Sequence, residues 1–249
     1  MPSSMVLEIC AESIESAIAA ERGGAHRIEL CTGLALGGLT PTAALIAAVR
    51  SSITIPLHIL IRPRAGDFLY SDAEFEIMQQ EIFAAKQAGV QGVVFGILKP
   101  DGTVDTKRSL HLVELARPLS VTFHRAFDMA NDLSRALEDI IAIGINRVLT
   151  SGGEQTAEAG IPAIATLTKQ AHGRIGIMAG SGITQNNVRN IIGATGVREI
   201  HATARTPAPI LMQYRNDRVS MGTIKNQEYE RLTTSEDQVS HLLAAALQQ

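Results

Sequence analysis

Cysteine is scarce in this chain: 249 residues carry two thiols, Cys10 and Cys31. So few thiols cannot make a disulfide framework and suit a compartment where thiols stay reduced, so a cytoplasmic protein is expected. Long apolar runs are missing too. No segment approaches the roughly 20 apolar residues of a membrane helix. The start, Met1-Pro2-Ser3-Ser4, has neither the basic residues nor the apolar stretch of a signal peptide. Runs of Lys or Arg are absent and the net charge is −3, which argues against nucleic acid or an anionic membrane as partner. No Gly-x-Gly-x-x-Gly loop follows the first strand, so a dinucleotide is not indicated. The only lysine beside a strand end is Lys99, after the fourth strand, which disfavours a Schiff-base aldolase. No CxxC pair or third cysteine completes a tetrahedral zinc site.

What is present is a regular alternation of short β-rich runs with helical runs. A hydrophobic fraction of 45% is enough for a sizeable core. Strands are expected to start near Val6, Arg27, Pro56, Gly92, Ser120, Arg147, Arg174 and Arg198. Helix signals fill the gaps: Ser13 as a cap, Thr40-Pro41 as N-cap and N1, and Ser71 with Glu74 as a capping box. Gly23, Gly89, Gly144 and Gly173 fall where left-handed caps end helices. Eight strand–helix units predict an α/β protein, a (β/α)8 TIM barrel over residues 1–204. A doubly wound open sheet is the alternative. Residues 205–249 form a C-terminal helical extension packed on the barrel. Pro207 and Pro209 break any continuation of the last strand. A final helix starts after Ser235, with Gln238 completing a capping box and Val239, Leu242, Leu243, Ala246 and Leu247 as its apolar stripe. That stripe covers the barrel exterior or serves an oligomer contact.

The first unit repeats itself. Leu7-Glu8-Ile9-Cys10 and Ile28-Glu29-Leu30-Cys31 both read apolar–Glu–apolar–Cys. Side chains alternate across a strand, so the two Glu–Cys sets share one environment. The same parity in the third, fifth and eighth strands adds His58, Arg62, His124, Glu199 and His201. Aliphatic residues suit the helix side, so the polar set faces the barrel interior. The fourth, sixth and seventh strands do not separate cleanly. A barrel interior is normally filled with Val, Ile and Leu. An unpaired buried carboxylate costs several kcal/mol. These groups must therefore pair, bind a ligand or admit water.

Three constellations follow. Cys10 and Cys31 end neighbouring strands about 4.8 Å apart, so their sulfurs can meet. Two such thiols can hold a soft ion such as Cu(I), oxidise to a disulfide, or simply pack as small hydrophobes. Glu8 or Glu29 with His124 can move a proton. Arg62 and Arg64, with the Gly180-Ser181-Gly182 turn after the seventh strand, can hold a small anion. These read as two functions: a Cu(I)-binding protein, or an isomerase or lyase acting on a small anionic or phosphorylated molecule.

The chain resembles the CutC family, named for copper homeostasis, from about Leu7 to Gly222. The stretches that carry the resemblance are Leu7 to Cys10, Arg27 to Cys31, Gly37-Gly38-Leu39-Thr40-Pro41, Ile61-Arg62-Pro63-Arg64 with Asp67-Phe68 and Tyr70-Ser71-Asp72, Val121 to Asp128, Arg147 to Gly152, and Tyr214-Arg215-Asn216. Two departures are Ala65, where Gly often follows Arg-Pro-Arg, and Ser181 in the glycine turn. The resemblance implies a TIM barrel, a cytoplasmic homo-oligomer, and Cys10 and Cys31 as the Cu(I) site.

Overall fold

In the computed structural model, residues 5–221 and 228–248 are described; the expected leader-free start at Met1 to Ser4 and the far end of the resemblance, Gly222, lie outside them. Eight parallel strands close into one barrel in chain order, each strand hydrogen-bonded to the next and the last to the first. They are β1 (Val6–Ala11), β2 (Arg27–Leu30), β3 (Leu57–Leu60), β4 (Gly92–Phe95), β5 (Ser120–Phe123), β6 (Arg147–Thr150), β7 (Gly176–Gly180) and β8 (Glu199–Ala202). Seven helices separate or follow them: α1 (Ile14–Arg22), α2 (Ala43–Ser52), α3 (Asp72–Gln87), α4 (Thr106–Ala116), α5 (Leu133–Ala142), α6 (Ile161–Ala171) and α7 (Val188–Thr195). This is the expected TIM barrel, and the open sheet is excluded by the β1–β8 pairing.

The core lies between strands and helices. Leu7, Ile9, Ile28, Leu30, Leu57, Ile59, Val93, Phe95, Val121, Phe123, Val148 and Ile200 are all at most 2% exposed within it. Each alternates with a lumenal residue, as a two-residue period requires. The three ambiguous strands now resolve. Gly92 and Val94, Arg147 and Leu149, and Gly176, Met178 and Gly180 face the lumen. Their neighbours Val93, Val148 and Ile177 face the helices.

Helix caps largely follow the sequence, with three corrections. Ser13 accepts from Ser16 N, and Ser71 with Glu74 forms the full capping box. α2, however, is capped by Thr42, whose hydroxyl accepts from Leu45 N, so Thr40-Pro41 precedes the cap. Thr40 instead donates to Glu81 and accepts from Arg62 N, tying the second and third units together. Gly89, Gly144 and Gly173 are left-handed as expected; Gly23 is not, at φ −72°. Gly23 is glycine for space: a Cβ there would lie 2.6 Å from Val239 Cβ.

That contact belongs to α8 (Glu236–Leu247), which packs against α1 and α7 on the barrel exterior. Its Val239 and Leu242 are buried, and Ser235 caps it through Gln238 N, but the expected capping box is not completed, because Ser235 N donates to Ala204 O instead of the Gln238 side chain. The tail also holds a short antiparallel ribbon that was not expected. β9 (Arg205–Pro207) pairs with β10 (Leu232–Thr234). Pro207 ends the strand at an edge, where a missing N–H is tolerated. Thr234 fastens the ribbon to α1 through Ser16 Oγ. Between the ribbon strands Leu211, Met212, Tyr214, Val219 and Met221 are exposed.

Candidate functional site

Glycine makes room for the polar lumen. A Cβ on Gly92 would lie 2.5 Å from the His58 ring, and one on Gly96 would lie 2.7 Å from the His124 ring. The same test puts a Gly176 Cβ 2.9 Å from Glu199 Oε1 and a Gly180 Cβ 2.5 Å from Leu149 Cδ1. The large inward side chains of one strand thus sit over glycines of a neighbouring strand. None of the four has a positive φ, so close approach rather than backbone freedom demands the glycine.

The lower lumen is a charge network. Arg27 Nε donates to Glu8, and Arg27 Nη2 donates to Glu199 Oε2 at 2.6 Å and contacts Met178 sulfur at 3.3 Å. Arg147 donates to the same Glu199 oxygen at 2.8 Å and reaches the Ser120 and Thr122 hydroxyls. His201 Nδ1 lies 2.7 Å from Glu8 Oε1, and His58 Nδ1 lies 4.0 Å from Glu8 Oε2. Burial pushes the Glu8 carboxyl up, but Arg27 and the His201 hydrogen bond together hold it well below the usual carboxylate range. Burial drives His58 down to about 3, against the pull of Glu8, so its ring is neutral. Burial also lowers His201, but Glu29 and Glu8 outweigh it and leave the ring more basic than usual.

His201 links this network to the mouth. Its Nε2 lies 3.8 Å from Glu29 Oε2. Burial raises the Glu29 carboxyl; His201 pulls it down, but nearby Glu8 adds to the rise. Cys10 and Cys31 stand beside Glu29 with their sulfurs 3.4 Å apart, both free thiols. The Cys31 hydrogen bond, burial and Glu29 all push the Cys10 thiol up. The two thiols pack with Leu60, Val94 and Leu34. One donor atom each from Cys10, Glu29 and His201 falls within 4.8 Å of the others, the one such cluster among the described residues.

Above the thiols opens a cavity of about 310 Å³. Cys10, Glu29 and His201 line it together with Leu60, Arg62, Phe68, His124, Arg125, Asp128, Met129 and Leu149. Arg62 is held by backbone: Nη1 donates to Leu36 and Gly38 carbonyls at 2.9 Å, and Nη2 to Gly66 at 2.8 Å. Gly37 and Gly38, at φ 85° and 87°, give the loop after β2 the left-handed turn that presents those carbonyls. The Arg62 guanidinium lies over the Phe68 ring at 5.1 Å, and Phe68 meets His124 at 5.0 Å. His124 Nδ1 accepts from Ala126 N at 3.1 Å. Burial and the Arg62 charge lower His124 to about 3.

The residues expected to act together are only partly gathered. Glu29, His124, Arg62 and Cys10 share the cavity; Cys31 lies just behind Cys10, and Glu8 is deeper in the charge network. Among the described residues no hydrogen bond joins His124 to Glu8 or Glu29. Arg64 turns away from the cavity to pair with Glu74 at 2.6 Å and Asp67 at 2.9 Å. The Gly180-Ser181-Gly182 turn also stands outside it: Ser181 Oγ donates to Gln155 O, and Gly182 O accepts from Asn187. Arg27, Arg147, Phe68 and Asp128 were not expected. Asp128 accepts from Ser151 N, Ser151 Oγ, Gly153 N, Thr150 Oγ1 and Arg125 Nε, which fixes Arg125 at the cavity rim.

A closed parallel barrel whose first two strands carry a thiol pair to a polar mouth defines a TIM-barrel protein with a dithiol site. The CutC family profile matches residues 5–206, and the chain belongs to the CutC family. A copper homeostasis protein cutC homolog from Mus musculus is 47% identical over 245 residues, covering 98% of this chain and 90% of that protein. The Homo sapiens homolog is 46% identical over the same span and coverage. Among solved structures, CutC from Streptococcus agalactiae is 32% identical with a TM-score of 0.77, covering 80% of this chain and 98% of that one. Phosphoribosylanthranilate isomerase from Thermotoga maritima, at 10% identity and TM-score 0.57, covers 97% of this chain and 98% of its own, and shares the fold alone.

Proposed function

We propose that the protein binds Cu(I) between Cys10 and Cys31, at the floor of the mouth cavity. The observation that carries this reading is the sulfur pair, 3.4 Å apart, free, and reached through Cys10 from an open cavity. Thiolates are the soft ligands that suit Cu(I), whereas the carboxylate of Glu29 suits harder ions. With metal–sulfur bonds of about 2.3 Å, the present spacing allows a bent arrangement near 95°. A linear one needs the sulfurs to part by roughly 1.2 Å. His201, close to Cys10, is the nearest imidazole donor. Cu(I) is cargo here, and its binding releases thiol protons. The names of the mouse and human relatives support a copper homeostasis role. A thiol pair kept reduced for this purpose belongs in a reducing compartment, the cytoplasm.

The test is Cu(I) titration in competition with a chelator, on the wild type and on Cys10→Ser and Cys31→Ser. Each variant is expected to lose tight binding while keeping the wild-type far-UV spectrum. Unchanged affinity in either folded variant removes the reading.

A further inference from the structure

The cavity holds a second recognition element that copper does not use. His124, 6% exposed, lines it at the end of β5. Its Nδ1 is an acceptor, occupied by the Ala126 amide, so the ring proton of the neutral form sits on Nε2. That buried N–H has no acceptor. Arg62, also 6% exposed, adds a guanidinium to the same cavity; its Nη groups are held by backbone carbonyls and it lies beside the Tyr70 hydroxyl. Buried polar groups are nearly always satisfied, so the orphaned His124 donor on the cavity wall points to a missing acceptor. Phe68 lies against both His124 and Arg62, and Leu60 and Leu149 complete an apolar surface beside them.

We propose that the mouth cavity binds a small organic monocarboxylate, its carboxylate accepting from His124 Nε2 beside the Arg62 charge, its apolar body lying on Phe68, Leu60 and Leu149. Charge selects the class. Arg62 brings one positive charge; of the other basic groups in the lining, Arg125 is already paired with Asp128 and His201 with Glu8. Glu29 in the same cavity opposes a second negative charge. A phosphate in a barrel is held by backbone N–H groups after the seventh strand. Here that turn is outside the cavity and its Ser181 is engaged with Gln155. A volume of about 310 Å³ matches the small end of ligand pockets. In this role His124 is a neutral donor, consistent with burial and Arg62 keeping it uncharged.

The site does not rest on the copper reading, because Cys31 lies behind the cavity wall. The probes are acetate and 3-phenylpropionate, with 3-phenylpropanamide and inorganic phosphate as controls, measured by calorimetry and by NMR titration. The variants are His124→Asn, whose side chain keeps an acceptor near Nδ1 but loses the distal donor, and His124→Gln, which keeps a distal donor. Wild type is expected to bind 3-phenylpropionate, and to bind it better than acetate, the amide or phosphate. His124→Asn is expected to weaken binding by about ten-fold or more, and His124→Gln by no more than about three-fold. Cys31→Ser is expected to bind it as wild type does, even where it has lost copper. The proposal is overturned if neither carboxylate binds, if the amide or phosphate binds as well as 3-phenylpropionate, or if His124→Asn binds undiminished.

Discussion

Replacing Gly92 by alanine tests the claim that glycines make the polar lumen possible. Position 92 has ordinary strand backbone and pairs with His58 across the β3–β4 ladder. On backbone grounds alone alanine should stabilise by roughly 0.5–1 kcal/mol. The added Cβ, however, would lie 2.5 Å from His58 Cδ2 and Nε2 and 2.7 Å from Cε1. The ring is 3% exposed and stands 4.0 Å from Glu8, so it cannot swing into solvent. Overpacking of this kind costs about 1–3 kcal/mol. The net expectation is a loss of about 1–2 kcal/mol, or roughly 2–8 °C in melting temperature for a domain of this size. Because the chain has no tryptophan, urea unfolding is best followed by far-UV circular dichroism. The decisive sample is the double variant Gly92→Ala/His58→Ala. Removing the ring gives the new methyl its space, so the two changes should couple favourably by about 1 kcal/mol or more. A single variant as stable as wild type, or strictly additive losses in the double, would refute the steric argument.

Two other outcomes follow from the buried charges. Arg27→Met leaves Glu8 and Glu199 without their shared partner and should cost about 3–5 kcal/mol in urea unfolding; a loss under about 1 kcal/mol would mean the network contributes only register. His124 gives a pH signature. Its folded pKa is about 3, below an unfolded value near 6.5, so the unfolded chain takes the proton first. Its contribution is complete above about pH 6.5 and is lost as the pH falls toward 3, at about 1.4 kcal/mol per pH unit. His124→Gln should therefore unfold less steeply with acid than wild type over that window, and parallel acid titrations would count against a neutral buried imidazole.

The barrel was legible because its local signals agree. Each expected strand start lies within two residues of an observed one, and Ser13, Ser71 and Ser235 cap as their spacing implies. Lumen parity could be read in β1, β2, β3, β5 and β8, where polar and aliphatic residues alternate. It failed in β4, β6 and β7 because the inward residues there include Gly, Val, Leu and Met, which look like core. Those glycines were themselves the signal, complementary to large polar residues on the neighbouring strand. Arg27 was readable too, since it shares parity with Glu29. Asp128 and Phe68 were not: they sit beyond strand ends, and only the closed barrel shows what they meet. The glycine turn after β7 misled for the same reason, since its composition suits an anion but its place in the fold turns it toward Gln155. The β9–β10 ribbon was hidden by its three-residue strands and the long separation between them.

The two levels of the lumen differ in one respect that locates function. In the lower network Glu8, Arg27, Glu199 and Arg147 each have partners within hydrogen-bond reach. His58 Nδ1 has none, yet it faces the Glu8 carboxylate at 4.0 Å, where attraction persists in a dry interior. A network so nearly closed on itself needs no ligand. At the mouth the balance changes: His124 Nε2 has no acceptor, and two thiols face each other. Departures from polar satisfaction in a native protein concentrate at functional sites. The charged floor then has a definite role. Through the His201 bond to Glu8 it holds an imidazole beside Glu29 and Cys10. A cation or a carboxylate entering from above meets a surface whose charges are already fixed.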